Sequence, residues 1–307
     1  MKNVIFLYFT PESITSINLF RNLTPNNFGV WKDIRIVDKL EDADYYVIFE
    51  DMYTNFKYPI DFSRTIYFQS EPQYVRKIKA HRRKIGKADH LQFIYLRDDI
   101  EFLKKYTYEN NRHPCFWVSA IPFNDMVRYP YHKKNKNLSC LMGNTGVLPE
   151  HNIRLNFLKE YAKMCPNDIE IYGYGMPAGG PYRGELKEKK NISFNRSHRS
   201  SIEVYKNYNY SFVCEGHKEV GQTCNKLYDC ILNWCMPIYY GNPRIFDFMP
   251  RDSLYTIDIE RDPLKKLTEL SSRKIPKKNI MALKEARDLI LYKYNVLEVV
   301  YQTLKGQ

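Results

Sequence analysis

Apolar and polar positions alternate in blocks along this chain. Short apolar runs at 4–9, 34–37, 45–49 and 65–68 are separated by more polar stretches, and the pattern restarts at 138–142, 169–173, 210–214 and 237–240. Compact apolar runs bounded by turn-forming residues read as buried strands, so two α/β halves are predicted. Between them Tyr129-Pro130-Tyr131-His132-Lys133-Lys134-Asn135-Lys136-Asn137 is polar and turn-rich, which reads as a linker and sets a boundary near residue 136. The expected domains are therefore 1–136 and 137–307. Helical spacing of Ala282, Ala286, Leu289, Leu291, Leu297 and Val300 closes the second domain on one or two helices.

The segment 205–258 carries the richest pattern. A buried strand ending in Phe212-Val213-Cys214-Glu215 is followed eleven residues after Glu215 by Lys226, within Gly221-Gln222-Thr223-Cys224-Asn225-Lys226-Leu227. A helix opening there leads to a second apolar strand, Met236-Pro237-Ile238-Tyr239-Tyr240-Gly241. A loop beyond the carboxyl end of a strand, followed by a helix start, is the layout of an anion site in an open α/β sheet. Thr223 is expected to cap the helix with its hydroxyl, and the first-turn N–H groups with Lys226 would face a phosphate.

Composition narrows the classes. At 307 residues and 44% hydrophobic, the chain can bury two cores. Its seven cysteines lack zinc spacing and show no small-domain disulfide framework, which points to a reducing compartment. The run Val4-Ile5-Phe6-Leu7-Tyr8-Phe9 is too short for a signal peptide, and no apolar run approaches the roughly 18 residues of a membrane span, so a cytoplasmic protein is expected. A net charge of +12 suits nucleic acid, anionic lipid or a phosphorylated substrate. The basic clusters at 76–87, 133–136, 187–190 and 265–278 read as solvated faces without a nucleic-acid motif, and 265–278 offers a peripheral membrane contact.

Several motifs together resemble the α-1,3/4-fucosyltransferases. Their donor motif, Phe-Glu-Asn-Ser, seven residues, Glu-Lys, an amphipathic helix and Val/Ile-Pro-Ile/Val-x-x-Gly, has the spacing of Cys214-Glu215-Gly216-His217, Asn225-Lys226 and Met236 to Gly241 here. Phe248-Met249-Pro250-Arg251-Asp252-Ser253 matches the family's Phe-x-Pro-x-x-Ser. Ile66-Tyr67-Phe68-Gln69-Ser70-Glu71-Pro72 resembles its strand ending in Gly-Glu-Asn, Met142 to Phe157 its small-residue loop and Arg-containing helix, and Tyr172-Gly173-Tyr174-Gly175 its Tyr-Gly-x-Gly. The likeness covers about 140 residues of the second half well and only short patches of the first.

The resemblance implies a GT-B fold, two Rossmann-like α/β domains facing across a cleft, with the acceptor held by the first and the nucleotide-sugar by the second. It implies inverting transfer of fucose or a related deoxyhexose, with GDP-fucose as expected donor and a glycan hydroxyl as acceptor. No cofactor or metal is required in such a mechanism. Glu71 would be the general base, its bland alternative being a cap of the next segment. Arg154 would hold the diphosphate with two parallel hydrogen bonds, unless it is a surface arginine off the Ile153, Phe157 and Tyr161 stripe. Donor contacts are further expected from Tyr172, Gly173, Glu215, Gly216, Gln222, Thr223, Asn225 and Lys226. Glu215 has two readings, a bond to loop N–H groups that shapes the pocket or a bond to a donor hydroxyl. The Asp42-Ala43-Asp44 triplet reads as strand-entry punctuation, not a metal site.

This chain departs from the family at Gly216 (Asn there), Asn225 (Glu there) and Gln222 (Tyr there). Those changes keep open a different nucleotide-sugar, or a non-catalytic module that binds nucleotide or nucleic acid. Tyrosine stacking and the net charge favour nucleic acid, but the ordered Glu71, Arg154, Glu215 and Lys226 pattern would then have no purpose, so no nucleic-acid partner is expected.

Overall fold

The computed structural model describes residues 1–7, 18, 20–49, 64–68, 93–95, 121–146, 149–186, 201–216, 218 and 223–305. They divide into two compact units, Met1–Asp125 with Tyr292–Gln307, and Met126–Leu291.

The first unit is built on strands β1 (Lys2–Leu7), β2 (Val30–Trp31), β3 (Ile34–Ile36), β4 (Tyr45–Phe49), β5 (Thr65–Phe68) and β6 (Phe93–Tyr95), in the order β2-β3-β1-β4-β5-β6. Only β2 runs antiparallel to its neighbour. Counted along the chain, the parallel strands read 2-1-3-4-5, a doubly wound sheet that reverses direction between β1 and β4. Val4, Phe6, Val47 and Ile66 are wholly buried, and the ring of Phe6 stacks on Phe20 at 4.1 Å. Glu71, three residues beyond β5, lies outside the described residues.

The closing helix, Val296–Lys305, packs on this first unit, whereas the sequence assigned it to the second. Its buried Glu298 explains why. One carboxylate oxygen accepts from Trp31 Nε1 at 2.7 Å, and the other from Lys32 Nζ at 2.7 Å and Gln302 Nε2 at 2.6 Å. Asn295 Nδ2 also donates to Leu23 O at 3.1 Å. Amphipathic spacing reveals that a helix has a buried face, not which sheet will cover it. The chain leaves the second unit through a π-helical turn, Leu289–Lys293, between the closing helix and the helix Lys277–Asp288.

The second unit holds β7 (Lys136–Leu141), β8 (Ile169–Tyr172), β9 (Ala178–Gly179), β10 (Tyr182–Arg183), β11 (Tyr208–Cys214), β12 (Met236–Tyr240) and β13 (Tyr255–Thr256). Their order, β13-β12-β11-β7-β8-β10-β9, is parallel except at the β9 edge. Without that edge the parallel strands read 6-5-4-1-2-3, the dinucleotide-binding order 3-2-1-4-5-6 seen from the other side. Central strands of such sheets are covered on both faces, and every residue of β12 is buried accordingly. Helix α1 (Pro149–Met164) connects β7 to β8, α2 (Ser201–Tyr205) precedes β11, and α3 (Asn225–Leu232) connects β11 to β12.

The stretch expected to be a linker belongs to the second unit. Lys134 is buried, and its ammonium donates to Tyr205 O at 3.3 Å, Lys206 O at 2.7 Å and Asn233 O at 2.6 Å, joining the carboxyl ends of α2 and α3. Trp234 Nε1 donates to Tyr129 O at 2.9 Å, and Arg287 donates to Met126 O at 2.7 Å while lying 4.4 Å over the Trp234 ring. The 133–136 cluster is therefore not a plain solvated face: Lys136 pairs with Glu170 at 2.9 Å. In the 265–278 cluster, Lys266 and Arg273 pair with Glu269, and Lys278 with Asp252. Among the described residues, no helix is long and apolar enough to cross a membrane.

Candidate functional site

The strand order selects one place in the second unit. From β7 the chain proceeds to β8 on one side, and from the adjacent β11 it proceeds to β12 on the other. Connections that diverge from neighbouring parallel strands leave a crevice at their carboxyl ends, where ligands of open α/β sheets bind. The loops there begin at Met142 and Glu215, the two places singled out in the sequence.

Glu215 makes the framework bonds of the first of its two readings. It is 2% exposed, its N–H donates to Tyr240 O at 2.8 Å, and its Oε1 accepts from Cys224 N at 2.9 Å and from the Tyr239 hydroxyl at 3.3 Å. The carboxylate thus ties the end of β11 to the start of α3 and to β12. Gly241 is required by this closure: a Cβ there would stand 2.3 Å from Glu215 Cγ and 2.5 Å from the Tyr239 hydroxyl oxygen. The Tyr239 hydroxyl oxygen in turn accepts from Asn242 N at 3.0 Å.

The cap differs from expectation. Cys224, not Thr223, is the N-cap of α3, with extended backbone and no side-chain cap bond; Thr223 is buried one residue earlier. The glutamate of the preceding strand takes the N–H of the N-cap residue Cys224 itself. Lys226 is half-buried in the first turn, where the helix leaves N–H groups unsatisfied. Asn225 and Gly216 flank the same helix start and strand end, while Gln222 and His217 lie outside the described residues.

Arg154 also differs, in a way that sharpens its role. The buried face of α1 is Arg154, Leu155, Phe157, Leu158, Tyr161 and Ala162, whereas Ile153 is exposed. Arg154 is 7% exposed, yet its Nε has no hydrogen-bond partner and no carboxylate pairs with it among the described residues. A buried arginine without a counter-charge costs several kcal/mol unless something neutralises it. Both Arg154 and Lys226 bear on two buried thiols of the neighbouring strands. Burial pushes Cys140, on β7, up to about 12 against the charges of Lys226 and Arg154; burial also raises Cys214, on β11, against the same two cations. Arg154 stands on α1, which follows β7, and Lys226 in the first turn of α3, which follows β11, the two strands that flank the crevice.

Gly173 and Tyr172 face different ways. Gly173 has φ +150, and a Cβ there would stand 2.0 Å from Met142 O, so only glycine lets the ends of β7 and β8 approach this closely. Ladder bonds continue past both strands, Met142 N to Tyr172 O and Asn144 N to Tyr174 O, each 2.8 Å. The Tyr172 hydroxyl points back along the sheet, 2.7 Å from the Tyr208 hydroxyl and donating to Glu170 Oε2 at 3.2 Å. Burial alone would raise the Glu170 carboxyl, but hydrogen bonds from Lys136 and Arg183, with Tyr208, outweigh it and hold the carboxyl at about 2.

In the first unit, the Asp44 carboxylate accepts from Asn3 N at 2.7 Å, and Asp42 ends a short 3-10 turn whose carbonyl accepts from Asn3 Nδ2 at 3.1 Å. Both serve strand entry. The sequence reading missed Tyr239, Cys224 and the purpose of Gly241; a glycine at a fixed step after a strand, inside a motif whose glutamate precedes it by a whole βα unit, was the available signal.

No protein-family model matches the chain, and no curated protein matches it. Among solved structures it is similar to trehalose-6-phosphate synthase from E. coli bound with UDP-2-fluoro glucose, at 8% identity and a TM-score of 0.54, over 100% of this chain and 98% of that one. It is also similar to a UDP-forming α,α-trehalose-phosphate synthase from Burkholderia xenovorans, at 8% identity and a TM-score of 0.52, over 86% and 73%. An α1,3-fucosyltransferase with GDP aligns at 12% identity over 95% and 82%, with a TM-score of 0.48. With two doubly wound sheets in one chain, the fold is that of the GT-B class, as the sequence predicted.

Proposed function

We propose that the chain is an inverting glycosyltransferase moving fucose or a related deoxyhexose from a nucleotide diphosphate donor, first GDP-fucose, to a hydroxyl of a glycan acceptor. The observation that carries this reading is Arg154, buried with an unpartnered Nε on the helix that follows β7, with Lys226 at the start of the helix that follows the adjacent β11. A diphosphate leaving group supplies the negative charge that this pair lacks. The fold agrees with it, since a GT-B structure of the same architecture was solved with UDP-2-fluoro glucose.

In this reading the second unit binds the donor and the first the acceptor. The acceptor oxygen attacks the sugar C1, its proton passes to Glu71, and the C1–O bond to the β-phosphate breaks, with Arg154, Lys226 and the start of α3 holding the departing charge. In-line attack inverts the anomeric centre. No metal is needed, because the two cations and the helix start do its work. A second reading keeps the reaction and changes the donor, and Gly216, Gln222 and Asn225 favour it, since they replace side chains that read the donor in the fucosyltransferases.

The test is calorimetry against GDP, UDP, CDP and dTDP in EDTA, followed by transfer assays from the matching sugar nucleotides to a glycan array. Tightest binding of GDP with transfer from GDP-fucose supports the first reading, and tightest binding of another nucleotide supports the second. Glu71→Gln should retain nucleotide binding and lose turnover about 100-fold or more. Failure to bind any of the four rejects both.

A further inference from the structure

We propose that Tyr174 is the stacking platform for the nucleobase of the donor, an inference that rests on reading the second unit as a nucleoside diphosphate site. Tyr174 is 70% exposed, on the loop just beyond the carboxyl end of β8. Its backbone, by contrast, is held on every side. It stands between Gly173 at φ +150 and Gly175 at φ +67, and its carbonyl accepts from Asn144 N at 2.8 Å. Asn144 Nδ2 donates to Gly175 O at 3.1 Å, Gly175 N to Glu185 Oε1 at 3.0 Å and Gly173 N to Gly184 O at 3.1 Å. The loop is therefore stitched to the one that leaves β7 at the switch point. Phe28, which is 74% exposed, has no such setting: it follows a 3-10 turn of the first unit.

Position chooses the ligand part. The cations stand on the helices that follow β7 and β11, and Tyr174 follows β8, on the opposite side of β7. In sheets of the 3-2-1-4-5-6 order the pyrophosphate lies at the loop of strand 1 and the nucleoside extends over strand 2, which is β8 here. An aromatic whose backbone is already ordered presents its face without a further ordering cost. Stacking tolerates any base, so Tyr174 contributes affinity for the nucleoside and not the choice among bases.

The experiment is calorimetry of Tyr174→Ala, Tyr174→Phe and Tyr174→Trp with GDP, UDP and inorganic pyrophosphate, with Arg154→Ala as a separate arm and melting temperatures as a folding check. The expected result is that Tyr174→Ala weakens GDP and UDP by roughly 5- to 150-fold while pyrophosphate is unchanged, and that Phe and Trp restore nucleotide binding. Stacking is overturned if Tyr174→Ala binds GDP and UDP like the wild type, or if pyrophosphate weakens by the same factor. If Arg154→Ala still abolishes pyrophosphate binding in that case, the phosphate site stands without the platform. A wild-type protein that binds none of the three overturns both.

Discussion

The two edges of the second sheet each bury a cation and use it differently. At the amino edge, the Lys134 ammonium is spent on three backbone carbonyls, and Arg287 lies on Trp234 and donates to two more. At the carboxyl edge, Arg154 is as deeply buried as Lys134, 7% exposed each, and its Nε finds no acceptor among the described residues. Lys134 is matched inside the chain, and Arg287 is partly matched with its Nη1 left over; in the proposed reading the donor diphosphate is what matches Arg154. Glu215, from the acidic side, has internal hydrogen bonds through its Oε1.

The contrast is tested most severely by Arg154→Met. Removing a buried, uncompensated charge should leave the melting temperature unchanged or raise it, while affinity for nucleoside diphosphates falls about 100-fold or more, read by calorimetry. Lost stability with unchanged affinity would move Arg154 to the structural side. Lys134→Met should do the reverse. It strands carbonyls at the ends of two helices, so urea denaturation should show a loss of about 2–4 kcal/mol with nucleotide affinity unaltered in the folded fraction.

The smallest effect belongs to Glu170, which bridges Lys136 and Arg183 across β7, β8 and β10. Its carboxyl is held at about 2 in the folded protein against 4.5 ordinarily, so the unfolded chain binds the proton first as pH falls. Its stabilisation is complete above about pH 4.5 and is lost on descending toward about pH 2. The loss should stay near 1–2 kcal/mol, because both cationic partners have side chains 42% exposed. Glu170→Gln should flatten that part of the acid-denaturation profile, and an unchanged slope would show that the ion pairs contribute nothing.

Much of the fold was legible because it is written locally. Apolar runs of four or five residues at 138–142, 210–214 and 237–240, bounded by polar and turn-forming residues, read as buried strands, and a lysine eleven residues past Glu215 in a helix start reports the βα unit that carries it. Where the reading was off, a partner distant in sequence decided the matter. Thr223 has the chemistry of a cap, but the helix opens one residue later, at Cys224, whose N–H Glu215 takes from the end of the preceding strand. Arg154 reads as a polar residue beside an apolar stripe until α1 is laid on the sheet and its guanidinium is enclosed. The 129–137 stretch has the composition of a linker, and its buried lysine is visible only once two helix ends converge on it.

By itself, then, the sequence determined two α/β halves, eight of their strands, and the helix start with Lys226, because periodicity and turn chemistry act over a few residues; the short strands β2, β6, β9, β10 and β13 went unread. The tertiary structure alone decided the order of the strands, and through it the switch point. It alone set the closing helix on the first unit through Glu298 and Trp31, 267 positions apart. It alone left Arg154 buried and its Nε unmatched, since whether a charge is compensated depends on what the rest of the chain brings within hydrogen-bond reach.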